Sequence, residues 1–256
     1  MGLCICKDFY VHLFQLLSSG YKCIKKAKHF FMQIKNSLYK RTTPYIVVAF
    51  LIGLSACVGN QKSKNATETI PQRVDSGWVQ LFDGKSLDGW QITNFGTQGT
   101  VQVIEGEIVL GMGDGCTGIT WNGNFPKTDY EVKLEAKKIT GNDFFCGMTF
   151  PVKDSFCTLI IGGWGGPVVG LSNIDGSDAS DNESHTLKKF DHDTWYAIHL
   201  KVSSEKIEAW IDGEQVIDFS TSGKQLSVRS EVSLSKPFGI CSWRTTSALR
   251  NIHLKE

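Results

Sequence analysis

Residues 130–137 read YEVKLEAK, an unbroken alternation of apolar and polar side chains. Successive side chains of a strand point to opposite faces, so this stretch predicts a half-buried strand with its even-numbered side chains inward. Residues 195–202 (WYAIHLKV) alternate in the same way. They predict a second strand of the same kind, again with the even-numbered residues inward.

A hairpin follows the second of these strands. Residues 206–211 (KIEAWI) lead to Asp212-Gly213, and residues 214–219 (EQVIDF) return. Asp-Gly favours a two-residue turn because both positions tolerate positive φ. Further candidate strands are 101–110, 144–150, 155–162, 167–174, 185–190, 231–234, 238–243 and 248–254. So many short strands predict an all-β fold, a jelly-roll sandwich of two antiparallel sheets.

The N-terminal part has the layout of an export signal. Three basic residues between positions 35 and 41 precede the apolar run 45–54, which is too short to span a bilayer. Small residues and Cys57 follow, an order similar to a bacterial lipobox. We therefore expect residues 1–56 to be a leader and signal peptide, with Met32 as the natural start and lipid on the sulfur of Cys57. An uncleaved apolar anchor is the alternative.

The stretch after the signal is polar. Residues 57–76 are rich in Lys, Asn, Ser and Thr, which predicts a lipid-anchored flexible tether ahead of one folded domain, 77–256. No acidic residue follows Cys57 until Glu68. Because early acidic residues are associated with surface display, we expect an outer membrane lipoprotein that faces the periplasm.

The charge of the exported part argues against some partners. The chain has 27 Lys and Arg and 26 Asp and Glu, and residues 1–56 hold eight of the basic residues and one of the acidic ones. The rest carries 19 basic and 25 acidic residues, a net charge of −6. Phosphate backbones bind positive surfaces. We therefore expect no nucleic-acid partner, and membrane contact through the lipid anchor only.

Four cysteines remain in the domain: Cys116, Cys146, Cys157 and Cys241. Export permits disulfides. Each cysteine also lies among apolar or strand-like neighbours, so small buried thiols are an open alternative.

Three stretches of the domain resemble a known family. They are 81–90 (LFDGKSLDGW), 195–218 with its Trp-Tyr and Ile-Asp-Gly elements, and the closing 248–252 (ALRNI). Together they resemble the DUF1080 family of 3-keto-disaccharide hydrolases or 3-keto-glucoside lyase/hydratases. The resemblance covers most of residues 78–256. It implies a concanavalin A-like jelly roll, found as a lipoprotein in Bacteroidetes, that acts on a small carbohydrate.

The sequence departs from the family pattern in mid-domain. Many members carry a Glu-x-Gln-x-Leu-Asp-like strand there, whereas residues 158–163 read TLIIGG, without a carboxylate. No catalytic residue is therefore carried over from the family.

The resemblance implies an enzyme that cleaves 3-keto-glycosides by elimination, or by net hydrolysis, at the glycosidic bond. A ketone at C3 acidifies the proton on C2, so one base can form an enolate that expels the C1 substituent. Such a site needs the base, a group that holds the enolate oxygen, and a platform for the sugar. A non-catalytic glycan-binding lipoprotein on the same fold is the alternative, and an adhesion module is a third.

Two tryptophans are candidates for the platform. Four glycines flank Trp164, which leaves its ring open over a groove or packed in a tight turn. Trp243 is the second. Arg244, which follows it, would orient a sugar oxygen or cap the strand end, and Lys188 is a further candidate to hold the enolate oxygen.

An acid-rich loop follows Trp164. We assign His185 and Glu183 as the catalytic candidates: one or the other would be the base, chosen by residue type. Asp175 and Asp178 are the candidate ligands for a divalent metal such as calcium, although their spacing is not that of an EF-hand. A solvated loop is the alternative.

His199 lies on the polar side of its predicted strand. We include it among the substrate-binding residues, as a proton shuttle if that side lines the groove. Otherwise His199 only covers the sheet.

Overall fold

The computed structural model describes residues 77–256. The predicted start, leader, lipidation site and tether lie outside the described residues. Within 77–256, no helix is long and apolar enough to cross a bilayer.

The described part is built almost entirely from strands. Its fifteen strands are β1 (Trp78–Gln80), β2 (Trp90–Ile92), β3 (Val101–Ile104), β4 (Glu107–Leu110), β5 (Cys116–Trp121), β6 (Tyr130–Thr140), β7 (Cys146–Val152), β8 (Ser155–Gly163), β9 (Val168–Ser172), β10 (Thr186–Leu187), β11 (Trp195–Val202), β12 (Lys206–Ile211), β13 (Glu214–Ser220), β14 (Gly239–Trp243) and β15 (Thr246–Lys255). A 3₁₀ helix, Ser230–Ser235, lies between β13 and β14.

The strands form two antiparallel sheets. The eight-stranded sheet has the order β13-β12-β11-β6-β15-β4-β3, with β1 paired to β15, and the seven-stranded sheet has the order β10-β9-β8-β7-β14-β5-β2. Some neighbours are consecutive strands, such as β7 and β8, whereas others, such as β6 and β15 or β7 and β14, come from distant parts of the chain. The two sheets pack face to face over one large apolar core. The predicted jelly-roll sandwich is confirmed.

The alternating strands behave as their sequence predicts. In β6 and β11 the even-numbered residues from Tyr130 to Ala136 and from Tyr196 to Val202 are buried in the core. The odd-numbered residues point outward because side chains alternate along a strand. The Asp212-Gly213 turn between β12 and β13 has φ of 54° and 82°, as a hairpin of this type requires.

The central strands of the seven-stranded sheet are buried on both faces. Every residue of β7 and β9 is buried. Leu159 and Ile161 of β8 face the main core. Ile160 faces outward and packs in a second, smaller cluster with Phe144 and Val232. Loops therefore cover part of the outer face of this sheet, and the candidate site lies there.

Several predicted elements need correction. The strand expected at 231–234 is wrong, because this segment is in the 3₁₀ helix: Val232 is buried but Leu234 is 56% exposed, so the alternation does not follow a sheet face. The segment 185–190 forms a strand only at β10. β5 was not predicted, because its first five residues are all buried and show no alternation.

The four cysteines of the domain are free and buried. Burial raises the pKa of Cys146 and Cys157 to about 12. They act as small apolar side chains of the core.

Candidate functional site

A hollow of about 190 Å³ opens on the outer face of the seven-stranded sheet. We call it the Arg229 hollow. It is lined by Asp143, Phe144, Thr158, Ile160, Trp164, Ser172, Arg229, Glu231, Val232 and Trp243. Its floor is low because Ile160 pairs across the sheet with two glycines, Gly147 and Gly170. A Cβ at Gly147 would lie 2.9 Å from the ring of Phe144, and one at Gly170 would lie 3.1 Å from the Cβ of Ala179, so both glycines allow these residues to pack closely on the sheet.

Arg229 is held between two carboxylates. Its Nη1 donates to Oδ2 of Asp178, and its Nη2 donates to Oε1 of Glu231 at 2.7 Å. Nε also donates to Glu231, at 3.4 Å. A guanidinium has five N–H groups. Partners within residues 77–256 take three of them, so two remain for a ligand.

The ion pairs fix the charge state of this cluster. The hydrogen bond from Arg229 lowers the pKa of Glu231 to about 2, and the same contacts raise the pKa of Arg229 above its ordinary value. The guanidinium is therefore charged and fixed at any physiological pH. It is suited to hold an oxygen on which negative charge develops.

Asp143 also lines the hollow, from the loop between β6 and β7. Its Oδ1 accepts a hydrogen bond from the backbone N–H of Phe144 at 2.8 Å, and its carboxylate also accepts from the N–H groups of Trp164 and Gly165. Desolvation nonetheless raises its pKa above the usual 3.8. A carboxylate with a raised pKa is a better base than an ordinary one.

Asp143 also positions Trp164. This tryptophan has φ of 47° in a turn closed by the hydrogen bond from Gly166 N–H to Gly163 C=O. The residue is 39% exposed. Of the two alternatives for Trp164, the structure shows features of both: a tight turn, and an indole that lines the hollow.

Trp243 contributes the second aromatic wall. Its ring lies 6.5 Å from that of Phe144, at 31° between the ring planes. The predicted platform residues, Trp164 and Trp243, therefore line one hollow together. Asp178, from the acid-rich loop, is connected to this hollow by its ion pair with Arg229.

The other predicted site residues lie elsewhere. Glu183 and His185 line a different hollow of about 430 Å³, which we call the Lys224 hollow because Lys224 binds Glu183 there at 2.7 Å. The acid-rich loop is thus divided between two hollows. Only Asp178 joins the tryptophans.

The predicted basic residues do not line the Arg229 hollow either. Lys188 pairs with Glu214 at 2.6 Å. Arg244 lies over the Trp243 ring at 5.8 Å and pairs with Asp114 at 2.6 Å, while its own side chain is 60% exposed.

His199 lies on the outer face of the other sheet. It stacks on Trp210 with 4.9 Å between ring centroids and binds Glu131 at 2.7 Å. The core separates it from the two tryptophans of the platform.

The predicted metal ligands have basic partners. Asp175 binds Lys224 at 3.2 Å, and Asp178 binds Arg229. Between residues 77 and 256, no group of three or more His, Cys, Asp or Glu side chains is arranged to hold a metal ion.

Asp143, Arg229 and Glu231 were not singled out from the sequence. Arg229 and Asp178 are 51 positions apart, and no local pattern signals such a pair. In the sequence, Arg229 and Glu231 are two charged residues near a turn, a pattern that does not indicate a binding site. The only usable signal was the pair of adjacent phenylalanines after Asp143, which predicts a carboxylate next to a buried segment.

The hollow thus brings together three kinds of chemical group. It offers a carboxylate with raised pKa, a fixed guanidinium with free N–H groups, and two indole rings. This set fits proton abstraction next to a carbonyl group, with the guanidinium placed to receive the enolate oxygen. It also fits binding of a sugar ring without reaction.

Several solved structures are similar in fold to this domain. Crh5 transglycosylase shares 14% identity at a TM-score of 0.50, over 70% of this chain and 82% of that one. A carbohydrate-binding module of Bacillus subtilis, CBM66, shares 18% identity at a TM-score of 0.44, over 66% and 96%. A laminarinase from Flavobacterium sp. UMI-01 shares 11% identity at a TM-score of 0.46, over 70% and 98%. The likeness to Crh5 transglycosylase, at 14% identity, shows the fold alone.

No curated protein matches this chain. The sequence of residues 77–255 does match one family, and the match spans nearly all of the described domain. The chain belongs to the family described as the 3-keto-alpha-glucoside-1,2-lyase-like domain.

Proposed function

We propose that the domain cleaves the glycosidic bond of a 3-keto-glycoside by elimination, and that the Arg229 hollow is the active site. The observation that carries the proposal is the placement of Asp143 and Arg229 on the walls of one hollow, beside two tryptophans. The family supplies the class of substrate, and the chemistry of the side chains supplies their roles.

The reaction begins with loss of the C2 proton. The carboxylate of Asp143 takes this proton, and the electron pair moves into an enolate on the C3 oxygen. Two N–H groups of Arg229 hold that oxygen, while Asp178 and Glu231 keep the guanidinium in place. Preorganised donors of this kind stabilise developing charge without reorganising.

The C1–O bond then breaks. The enolate collapses to form a C1–C2 double bond, and the C1 substituent leaves with the bonding electrons and takes a proton from the protonated Asp143 or from water. Addition of water across the new double bond would give net hydrolysis. The rings of Trp164 and Trp243 hold the sugar through its C–H faces.

The experiment is turnover of a 3-keto-disaccharide such as 3-ketotrehalose, followed by chromatography of the released sugar. We expect turnover by the wild type and loss of it in Asp143→Asn and Arg229→Met. Lys127→Met is the control, because Lys127 forms an exposed ion pair with Asp154 and neither residue lines the Arg229 hollow. Loss in His185→Asn with retention in Asp143→Asn would move the site to the Lys224 hollow. Saturable binding without turnover would support the glycan-binding alternative.

We also propose that the protein is exported and held at the membrane through lipid on Cys57. The order of basic residues, apolar run and cysteine in the sequence supports this. A lipid anchor would place the domain where incoming glycosides arrive.

A further inference from the structure

A separate hollow of about 440 Å³ lies on the outer face of the eight-stranded sheet. We call it the Trp210 hollow. The core of the sandwich separates it from the Arg229 hollow, since the two open on the outer faces of different sheets. Its lining includes Lys133, Glu135, Ala197, His199, Trp210 and Asn251.

The hollow exists because of one small residue. Ala197 lies on the outward face of β11 between Trp195 and His199. It pairs across the sheet with Glu135, and its N–H donates to Asp212 in the β12–β13 turn at 2.8 Å. A methyl group between two large rings leaves a depression with Ala197 as its floor.

One wall of the hollow is aromatic. Trp210 and His199 are stacked at 28° between their planes, and Glu131 holds His199. The indole N–H of Trp210 has no hydrogen-bond partner among residues 77–256. Trp195, by contrast, is covered by Arg250 at 4.0 Å and by Lys137 at 4.5 Å.

The opposite wall is polar and held in place. Glu135 accepts hydrogen bonds from Asn251 at 2.9 Å and from Arg250 at 2.7 Å. Its charge is thus already neutralised. Side chains fixed in this way lose little freedom when a ligand binds.

A pyranose ring matches these two walls. It has apolar C–H faces that pack on an aromatic ring, and hydroxyl edges that bond to carboxylates, amides and ammonium groups. The carboxylate of Glu135 is already paired with Arg250, and the ammonium group of Lys133 lies over the Trp78 ring at 4.5 Å. A neutral ligand can therefore bind without supplying a counter-charge to Glu135. We propose that the Trp210 hollow is a second, non-catalytic binding site for a neutral pyranose unit of a longer glycan. This proposal goes beyond the active site and does not depend on it.

The test is an NMR titration that follows the indole N–H signals of the seven tryptophans of the chain. Maltohexaose, cellohexaose and laminarihexaose are the ligands. We expect at least one of them to shift the Trp210 signal in a saturable way. The signal is assigned by its disappearance in Trp210→Phe.

Ala197→Ile provides the decisive variant, because it fills the floor while keeping every aromatic and polar group. A β-branched residue suits an exposed strand position, and the folded state is checked by the other indole signals. We expect binding at Trp210 to weaken by about tenfold or more, since the ring loses its contact with the sugar.

Trp243→Phe is the matched control in the other hollow, and the Trp210 shift should survive in it. Turnover of the 3-keto-disaccharide should survive in Ala197→Ile. The proposal is overturned if none of the three glycans shifts the Trp210 signal, or if Ala197→Ile binds as well as the wild type. Either result leaves the test of the active site unaffected, because that test measures turnover.

Discussion

At the scale of single residues, Asp143 decides the proposed chemistry. We expect Asp143→Asn to lower kcat by about 10²–10⁴-fold, the usual contribution of a general base. The amide oxygen can still accept from Phe144 N–H, so the loop should keep its shape. Circular dichroism and the exposure of Trp164 check this.

The same residue sets the pH dependence of the reaction. Because desolvation raises its pKa above 3.8, the base is lost by protonation earlier on acidification than an ordinary aspartate would be. We expect kcat/KM to fall with one proton as pH drops through this pKa. A pH–rate profile without an acidic limb would contradict the role of Asp143.

The lowered pKa of Glu231 predicts how the free energy of unfolding depends on pH. Its folded-state pKa of about 2 lies below the ordinary 4.5, so its ionised form is stabilised by folding. That contribution is complete above pH 4.5 and is lost as pH falls toward 2. Urea unfolding across this window should show a declining free energy of unfolding, and Arg229→Met should make that decline smaller. An equally steep decline in the variant would exclude the ion pair as its cause.

At the scale of elements, burial explains what could be predicted. β6 and β11 have one face in the core and one in water, so their sequences alternate and their inward residues were identified correctly. β5 has no solvated face over most of its length, so its sequence shows no alternation of apolar and polar residues. The 3₁₀ helix was mistaken for a strand because four residues are too few to distinguish the two periods.

The candidate site was only partly predictable for a related reason. Glycines around Trp164 marked an unusual turn, and that signal is local. The ion pair of Arg229 with Asp178 brings together the loop between β9 and β10 and the segment that leads from β13 into the 3₁₀ helix. Only the sheet topology places them side by side.

Strand β8 gives a direct test of its two faces. Leu159 is fully buried in the main core, whereas Ile160 lines the Arg229 hollow. We expect Leu159→Ala to cost about 2–5 kcal/mol in unfolding free energy. Ile160→Val, which removes one methyl group from the hollow, should cost about 1 kcal/mol and change KM. Urea unfolding and steady-state kinetics separate the two, and a change of KM confined to Leu159→Ala would reverse the assignment of faces.

At the scale of the whole molecule, the proposed lipid anchor on Cys57 can be tested by fractionation. We expect Cys57→Ser to move the protein from the membrane fraction to the soluble fraction, since two or three acyl chains are needed for stable anchoring. Labelling with radioactive palmitate should disappear in the same variant. Labelled protein in Cys57→Ser would show that Cys57 is not the lipidation site.

The Arg229 hollow and the Trp210 hollow open on opposite sides of the sandwich. This arrangement suits an enzyme that holds a glycan chain on one face while another glycoside is cleaved on the other. The two sites share no lining residue, so variants of each can be studied separately.

Elimination in the Arg229 hollow requires loss of the C2 proton, and the rate with a 3-keto-glucoside deuterated at C2 measures that step. Abstraction of the C2 proton by Asp143 predicts a primary isotope effect on kcat/KM and an enone product that absorbs ultraviolet light. Cleavage at an unchanged rate with deuterium retained at C2 of the released sugar would contradict the account.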